Sequence, residues 1–248
     1  GTKFVVVVYD SNGDYVTSRY YNVGSPIQSD PSVANGQSLL MLNGGETYTV
    51  IAYSSTSIPV GFTPAYQGKN LKDSFFFTLN DRVNGTDFLL YKGNITPSGD
   101  LPENKLDMKL LNKTFRVVFD VRDNISNRNI ESVTSSTING DFWFGTQFNF
   151  NDGSITKYGN LPDYTSLNIN FPSDQFGSTQ ITSQAYYGNI FSDNPVTFST
   201  RIKMQGSVER DFSFSGLKLK NGYKHNIQFN LIKCGAYLGD NTNPANYK

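Results

Sequence analysis

The stretch LLMLNGGETYTVIAY at residues 39–53 has the pattern of a β-hairpin. Apolar residues alternate in its first part, the turn-forming residues NGGE follow, and every second position is again apolar from Tyr48 onward. A similar stretch, LKLKNGYKHNIQFNLI, returns at residues 217–232 with Asn221-Gly222 as its turn. The repetition predicts two hairpins and a chain built from two related halves.

A second pair of segments supports this division. KFVVVVYD at residues 3–10 is matched by TFRVVFD at residues 114–120, and a polar, turn-rich segment follows each of them. The first begins a predicted hairpin with Asn12-Gly13 as its turn, and its run of five apolar residues predicts a strand buried on both faces.

The rest of the chain continues the pattern of short strands. Strands of period two recur with turn residues between them, and no stretch of twelve or more residues shows the period of a helix. We therefore predict an all-β chain of two tandem β-sandwich domains, residues 1–108 and 109–235. Residues 236–248 are polar and show no strand pattern, so they are expected to form a tail or a truncated linker.

The composition excludes several classes of protein. Lysine plus arginine and aspartate plus glutamate number 21 each, so no net charge favours binding to nucleic acid. The 248 residues include 19 Phe and 15 Tyr but one His, one Cys and one Trp, which is typical of a scaffold rather than an enzyme. No apolar run approaches the roughly 20 residues that span a bilayer.

The sequence shows no catalytic, cofactor-binding or metal-binding motif, and we predict neither an enzyme nor a cofactor. His225 falls on the apolar face of a predicted strand, where a hydrogen-bonded core histidine is the favoured interpretation. The segment from Asp10 to Asp14 places oxygen ligands at alternate positions, as a calcium loop does. It lacks the downstream glutamate of that motif, so a hairpin turn is favoured.

Aromatic residues form the one candidate ligand site. Trp143 lies between two phenylalanines, and if those are buried it faces outward, where it could stack on a sugar ring together with Tyr158 and Tyr164. The alternative is that Trp143 packs under a loop or against the second sheet. The stacking interpretation makes a carbohydrate-binding surface module the alternative function.

Four segments in their order resemble the fimbrillin family of Bacteroidetes surface proteins, the FimA-like and Mfa-like pilins and fimbrial accessory proteins. They are KFVVVVYDSNGDYV, LNGGETYTVIAYSS, DFLLYKGNI and LDMKLLNKTFRVVFDV, and the resemblance extends over roughly residues 3–122. The rest of the chain is similar only in its architecture.

The resemblance implies two transthyretin-like β-sandwich domains in a protein of the cell surface and outer membrane, exported as a lipoprotein. It further implies a role as pilus subunit, anchor or tip adhesin. Partners would be other pilus subunits joined by strand addition, or a surface ligand, and membrane contact would be through a lipid anchor outside this sequence. The chain departs from the family pattern because it shows no cleavable N-terminal strand, no lipidation cysteine at its start and no apolar alternating segment after Ile232.

Overall fold

The computed structural model describes most of the chain and consists of β-strands with two single turns of 3-10 helix. The described residues are 3–22, 28–29, 40–55, 68–77, 88–123, 127–143, 146–157, 164–232 and 235–244. The all-β class predicted from the sequence is confirmed. By their contacts the described residues form two compact units, the first within Gly1–Leu79, Thr86–Lys113 and Gly145–Tyr158, the second within Thr114–Phe144 and Gly159–Lys248.

The first unit contains two sheets. Its six-stranded sheet has the order β3-β2-β1-β4-β6-β7 and its three-stranded sheet the order β11-β10-β5. The strands are β1 (Lys3–Tyr9), β2 (Tyr15–Asn22), β3 (Gln28–Ser29), β4 (Tyr48–Ser55), β5 (Phe75–Phe77), β6 (Phe88–Ile95), β7 (Leu111–Asn112), β10 (Thr146–Asn149) and β11 (Ile155–Lys157).

Strand β1 is buried on both faces, as its unbroken apolar run predicts. Val5 and Val7 pack on the side of the three-stranded sheet, and Phe4, Val6 and Val8 pack on the opposite side. The predicted hairpin of β1 and β2 is confirmed by their antiparallel register.

The turn of this hairpin uses the carboxylate that resembled a calcium ligand. The Asp10 carboxylate accepts hydrogen bonds from the backbone N–H groups of Asn12 and Asp14, both at 2.9 Å. Gly13 has a φ of +79°, a conformation that side chains disfavour. The segment is therefore a capped hairpin turn.

The second unit is one nine-stranded sheet that folds over itself into a sandwich. Its order is β16-β15-β9-β14-β8-β17-β18, with β12 paired to β9 and β13 paired to β8. The strands are β8 (Phe115–Arg122), β9 (Ile130–Trp143), β12 (Tyr164–Asn168), β13 (Gln180–Thr182), β14 (Tyr186–Ile190), β15 (Val196–Met204), β16 (Arg210–Leu217), β17 (Tyr223–Ile232) and β18 (Gly235–Pro244).

Aromatic rings join the two layers of this sandwich. Phe119 of β8 stacks on Phe198 of β15 with ring centroids 4.2 Å apart, and Phe198 meets Phe229 of β17 edge to face at 5.6 Å. Contacts of this kind contribute beyond the apolar area that they bury. They explain why alternating strands with phenylalanine on the inward positions form a sandwich here.

Neither of the two hairpins predicted from residues 39–53 and 217–232 forms. In both cases the second arm is a strand, β4 or β17, but both of its edges are already paired, β4 with β1 and β6 and β17 with β8 and β18. The residues that precede the turn therefore lie elsewhere, and β16 pairs with β15. The two halves also differ in pairing, because β4 is antiparallel to β1 whereas β17 is parallel to β8.

The expectation of a tail without strand structure after Cys234 is wrong. Residues 235–244 form β18, which pairs with β17 at ten consecutive positions from Ile232↔Gly235 to Tyr223↔Pro244. The cause is the long free edge of β17, which provides backbone partners whatever the side chains of the segment that pairs with it.

Candidate partner-binding groove

The two faces of the six-stranded sheet are covered in different ways. On one face, Tyr53 and Phe88 pack against Phe148 and Phe150, which the β10–β11 hairpin contributes. On the other face, the described residues include no second sheet. Irregular segments at residues 40–42 and 106–110 lie over it instead.

This second face contains a groove with a volume of about 490 Å³. Phe4, Val6 and Val50 contribute side chains from the sheet, and Tyr21 stacks on Phe4 with centroids 5.2 Å apart. The strand residues that line the groove are apolar or aromatic, and all are buried except Ile95, which is half-buried. An apolar cavity of this size is comparable to ligand and peptide sites in other proteins.

Residues 106–110 form one wall and have an unusual conformation for their sequence. Leu106, Met108 and Leu110 are half-buried against the sheet, while Asp107 and Lys109 between them are exposed. This alternation is typical of a strand, yet the segment has no strand pairing before β7 begins at Leu111. It covers the apolar face through side chains alone.

The outer edge of β6 adjoins the groove. Strand β7 pairs with β6 only at Leu89 and Leu90, and among the described residues no strand pairs with the same edge from Tyr91 to Ile95. Ile95 itself lines the groove. A free strand edge therefore lies beside an open apolar groove.

One end of the groove is closed by two loops that meet at glycines. The N–H of Gly45 donates to the carbonyl of Pro97 at 2.7 Å, and a Cβ on Gly44 would lie 2.5 Å from the Cα of Gly99. Asn104 fixes the second loop through two hydrogen bonds to the backbone of Ser98, at 2.9 and 3.1 Å. Only residues without side chains allow this approach.

A tyrosine and a glutamate stabilise the first loop. The hydroxyl of Tyr48 donates to the Glu46 carboxylate at 2.7 Å and accepts from the N–H of Asn43 at 3.1 Å. The hydrogen bond to Glu46 is the main cause that raises the pKa of Tyr48.

Two exposed apolar side chains stand at the mouth of the groove. Met41 is 84% exposed and Leu101 is 56% exposed, and both line the opening. Large apolar side chains that surround an apolar cavity and remain exposed mark an interaction site. The sequence pattern showed that β1 was buried on both faces, but no signal in it showed that one face would be only partly covered.

The structure describes two of the three residues of the predicted aromatic site, and only by their backbone. Trp143 is the last residue of β9 and its backbone pairs with Asn189, whereas Tyr164 begins β12 and pairs with Phe142. Tyr158 lies outside the described residues, and the side chains of the other two are outside the description as well. Stacking of a sugar on these residues remains a prediction.

The lone histidine is a core residue, as favoured from the sequence. His225 is 1% exposed, and its Nε2 accepts a hydrogen bond from the N–H of Lys220 at 3.0 Å. In the described part of the chain, no three His, Cys, Asp or Glu side chains are close enough together to hold a metal ion. The same part has no helix with the length and hydrophobicity to cross a membrane.

Solved structures of bacterial surface proteins share this fold. A candidate cell adhesion protein from Bacteroides uniformis has a TM-score of 0.61 at 10% identity, over 98% of this chain and 91% of that one. A fimbrial protein from Bacteroides vulgatus has a TM-score of 0.54 at 11% identity, over 98% and 92%. The tip fimbrial protein Mfa3 from Porphyromonas gingivalis, with a C-terminal truncation, has a TM-score of 0.53 at 9% identity, over 97% and 93%.

No family model and no curated protein matches the chain. At these identities the structural matches show the fold. The two-sandwich architecture expected from the fimbrillin resemblance is confirmed, and the structural neighbours are Bacteroidetes adhesion and fimbrial proteins.

Proposed function

We propose that the protein is a non-enzymatic cell-surface component of a bacterial pilus, a subunit, anchor or tip adhesin, and that its first unit receives an extended segment of a neighbouring subunit. The observation that carries the proposal is the apolar groove beside the free edge of β6. The fimbrial and adhesion proteins of the same fold support it.

The geometry suits strand addition. An incoming extended segment would form main-chain hydrogen bonds along the free edge of β6 from Tyr91 to Ile95. Alternate apolar side chains of that segment would enter the part of the groove that adjoins this edge, beside Ile95. Main-chain pairing would supply affinity, and the shape of the groove would select the segment.

The remaining parts of the proposal follow from this role. The protein is exported to the cell surface, as a lipoprotein in the outer membrane, and assembles with other pilus subunits or binds a surface ligand. Its equal numbers of basic and acidic residues agree with a partner other than nucleic acid. No cofactor is required for strand addition.

The proposal can be tested by introducing negatively charged residues at the mouth of the groove. In the double variant Met41→Glu with Leu101→Glu, an entering apolar segment must desolvate two carboxylates, at roughly 2 kcal/mol or more each. We expect SDS-resistant multimers and filaments from the producing cells to fall at least about tenfold. Multimers are measured on gels of surface-extracted protein and filaments by electron microscopy.

The matched control changes two other exposed apolar residues. Val16 and Val208 are 42% and 73% exposed and do not line the groove, so Val16→Glu with Val208→Glu should leave assembly unchanged. Normal assembly of the groove variant would refute strand addition at this site. A wild-type protein that gives a single monomeric band and no filaments would refute the pilus role itself.

A further inference from the structure

The outer face of the sheet around β8, in the second unit, carries an ordered set of polar side chains. Along β8 the inward residues are buried, and the alternate residues Arg116, Val118, Asp120 and Arg122 are half-buried on the other face. With a rise of about 3.3 Å per residue, this row is roughly 20 Å long. We call it, together with its register partners on β13, β14 and β17, the basic face.

Strand pairing aligns the basic face into rows across the sheet. At one end, Arg116 pairs with Tyr187 of β14 on one side and with Lys224 of β17 on the other. Further along, Asp120 pairs with Thr182 and Gln228. Residues in register share a face, so each row presents its side chains together.

Asp120 is already engaged within the protein. It forms an ion pair with Arg122, and it accepts hydrogen bonds from Gln180 Nε2 at 3.3 Å and Thr182 Oγ1 at 3.4 Å. The one carboxylate in these rows is therefore matched to the cation two residues away. The opposite end of the basic face, at Arg116, therefore has no carboxylate among these residues.

Arg116 and Lys224 form that other end. The two cations are directly opposite each other in register, and among the described residues neither has a carboxylate within ion-pair distance. Adjacent like charges that lack a carboxylate partner in the described part of the chain fit an anionic group that bridges them.

On the other outer face of the second unit, the cations of β15 form ion pairs with carboxylates. Arg201 Nε lies 3.3 Å from Glu209 and 3.6 Å from Asp211, and Lys203 Nζ lies 2.8 Å from Glu131. Those two cations have carboxylate partners within the protein. Arg116 and Lys224 differ from them because they have no carboxylate partner among the described residues.

We propose that the basic face binds an acidic polysaccharide. A sugar carboxylate would bridge Arg116 and Lys224, and the Tyr187 ring beside them would pack against a sugar ring. The amides of Asn226 and Gln228 continue the face with donors and acceptors suited to sugar hydroxyls.

The chemistry of the face favours a polysaccharide over a protein partner. Protein interfaces centre on buried apolar anchors, and the β8 row offers Val118 as its one aliphatic residue. A flat polar surface about 20 Å long also suits an extended polymer rather than a small molecule enclosed in a cavity. The proposal is independent of the pilus role, because it concerns a different unit and a different surface.

The test is binding of the whole chain to immobilised polygalacturonate, with dextran and poly-L-glutamate as comparison surfaces, measured over a series of salt concentrations. We expect retention on polygalacturonate that exceeds retention on the other two and weakens as salt rises. Arg116→Gln with Lys224→Gln should lower the apparent affinity at least about tenfold, since two charge-assisted hydrogen-bonding groups are lost.

The matched control is Arg201→Gln with Lys203→Gln, which removes the same charge from the other outer face and should bind as the wild type does. Equal losses in the two double variants would overturn the proposal, since binding would then depend on net charge alone. Equal retention on poly-L-glutamate would assign the face to an acidic polypeptide instead. Absence of preferential retention on polygalacturonate would also overturn it.

Discussion

At the scale of single residues, the buried hydroxyl of Tyr9 makes stability depend on alkaline pH. Tyr9 is completely buried in the core of the first unit, and burial raises its pKa from 10.0 to about 12. Between these values the unfolded chain loses the proton and the folded chain keeps it. Stability is therefore complete below pH 10 and decreases as pH rises toward 12, by roughly 2–3 kcal/mol for this group.

Tyr9→Phe isolates that contribution. The variant removes a buried hydroxyl that lies beside the Ser74 side chain, so its stability at pH 7 should fall by no more than about 1 kcal/mol. Urea unfolding at intervals from pH 8 to 12 should show a flatter decline for the variant. Identical slopes for both proteins above pH 10 would show that Tyr9 is not the group responsible.

The same strand shows what residue patterns can reveal. The unbroken apolar run from Phe4 to Val8 correctly predicted burial on both faces, because no polar position in the run faces water. The run could not reveal that a sheet covers Val5 and Val7, whereas irregular segments cover Phe4 and Val6. Which element covers a face depends on distant parts of the chain.

At the scale of elements, β18 should be needed to protect the edge of β17. If the chain ends after Lys233, β17 loses a partner along its whole length and becomes an edge strand that carries Ile227, Phe229 and Leu231. Such an edge promotes pairing between molecules. We expect the truncated protein to unfold at lower urea concentration and to aggregate, as measured by denaturation and by size-exclusion chromatography.

The control for this truncation removes only residues 245–248, which follow β18 in the sequence, and it should elute and unfold as the wild type does. A chain ending at Lys233 that behaved in the same way would contradict the role assigned to β18.

The sequence of β18 does not have the pattern that predicts a strand. Its residues, GAYLGDNTNP, include types that are rare in strands, and they lack an apolar alternation. The backbone edge of β17 supplies pairing that no local pattern records. For the same reason the hairpins predicted at residues 39–53 and 217–232 do not form, because a turn signal identifies a bend but not which strands pair across it.

At the scale of the whole molecule, each of the two units is built from several separate segments of the chain, whereas the predicted domains, residues 1–108 and 109–235, are continuous. The β10–β11 hairpin follows β9 of the second unit in the chain but pairs with β5 of the first. Its two strands pair across an Asn-Asp-Gly turn at residues 151–153. Nothing local showed which sheet it joins, since that depends on pairing with a strand far earlier in the sequence.

This arrangement predicts that Phe148, although it lies in the second half of the sequence, stabilises the first unit. Its ring is fully buried and stacks on Phe88 with centroids 4.0 Å apart. Phe148→Ala should cost about 3–5 kcal/mol, mainly through the cavity left between the two sheets. Because local stability follows local packing, amide hydrogen exchange should accelerate in β1 and β4 and change little in β8 and β17.

Phe198→Ala is the matched change in the second unit, where the ring is equally buried and stacks on Phe119. It should give the opposite pattern, with loss of protection in β8 and β17 while β1 and β4 retain theirs. Exchange that accelerates equally in both units for either variant would mean that the chain unfolds as one cooperative body. The assignment of the β10–β11 hairpin to the first unit would be contradicted if Phe148→Ala affected β8 and β17 more than β1 and β4.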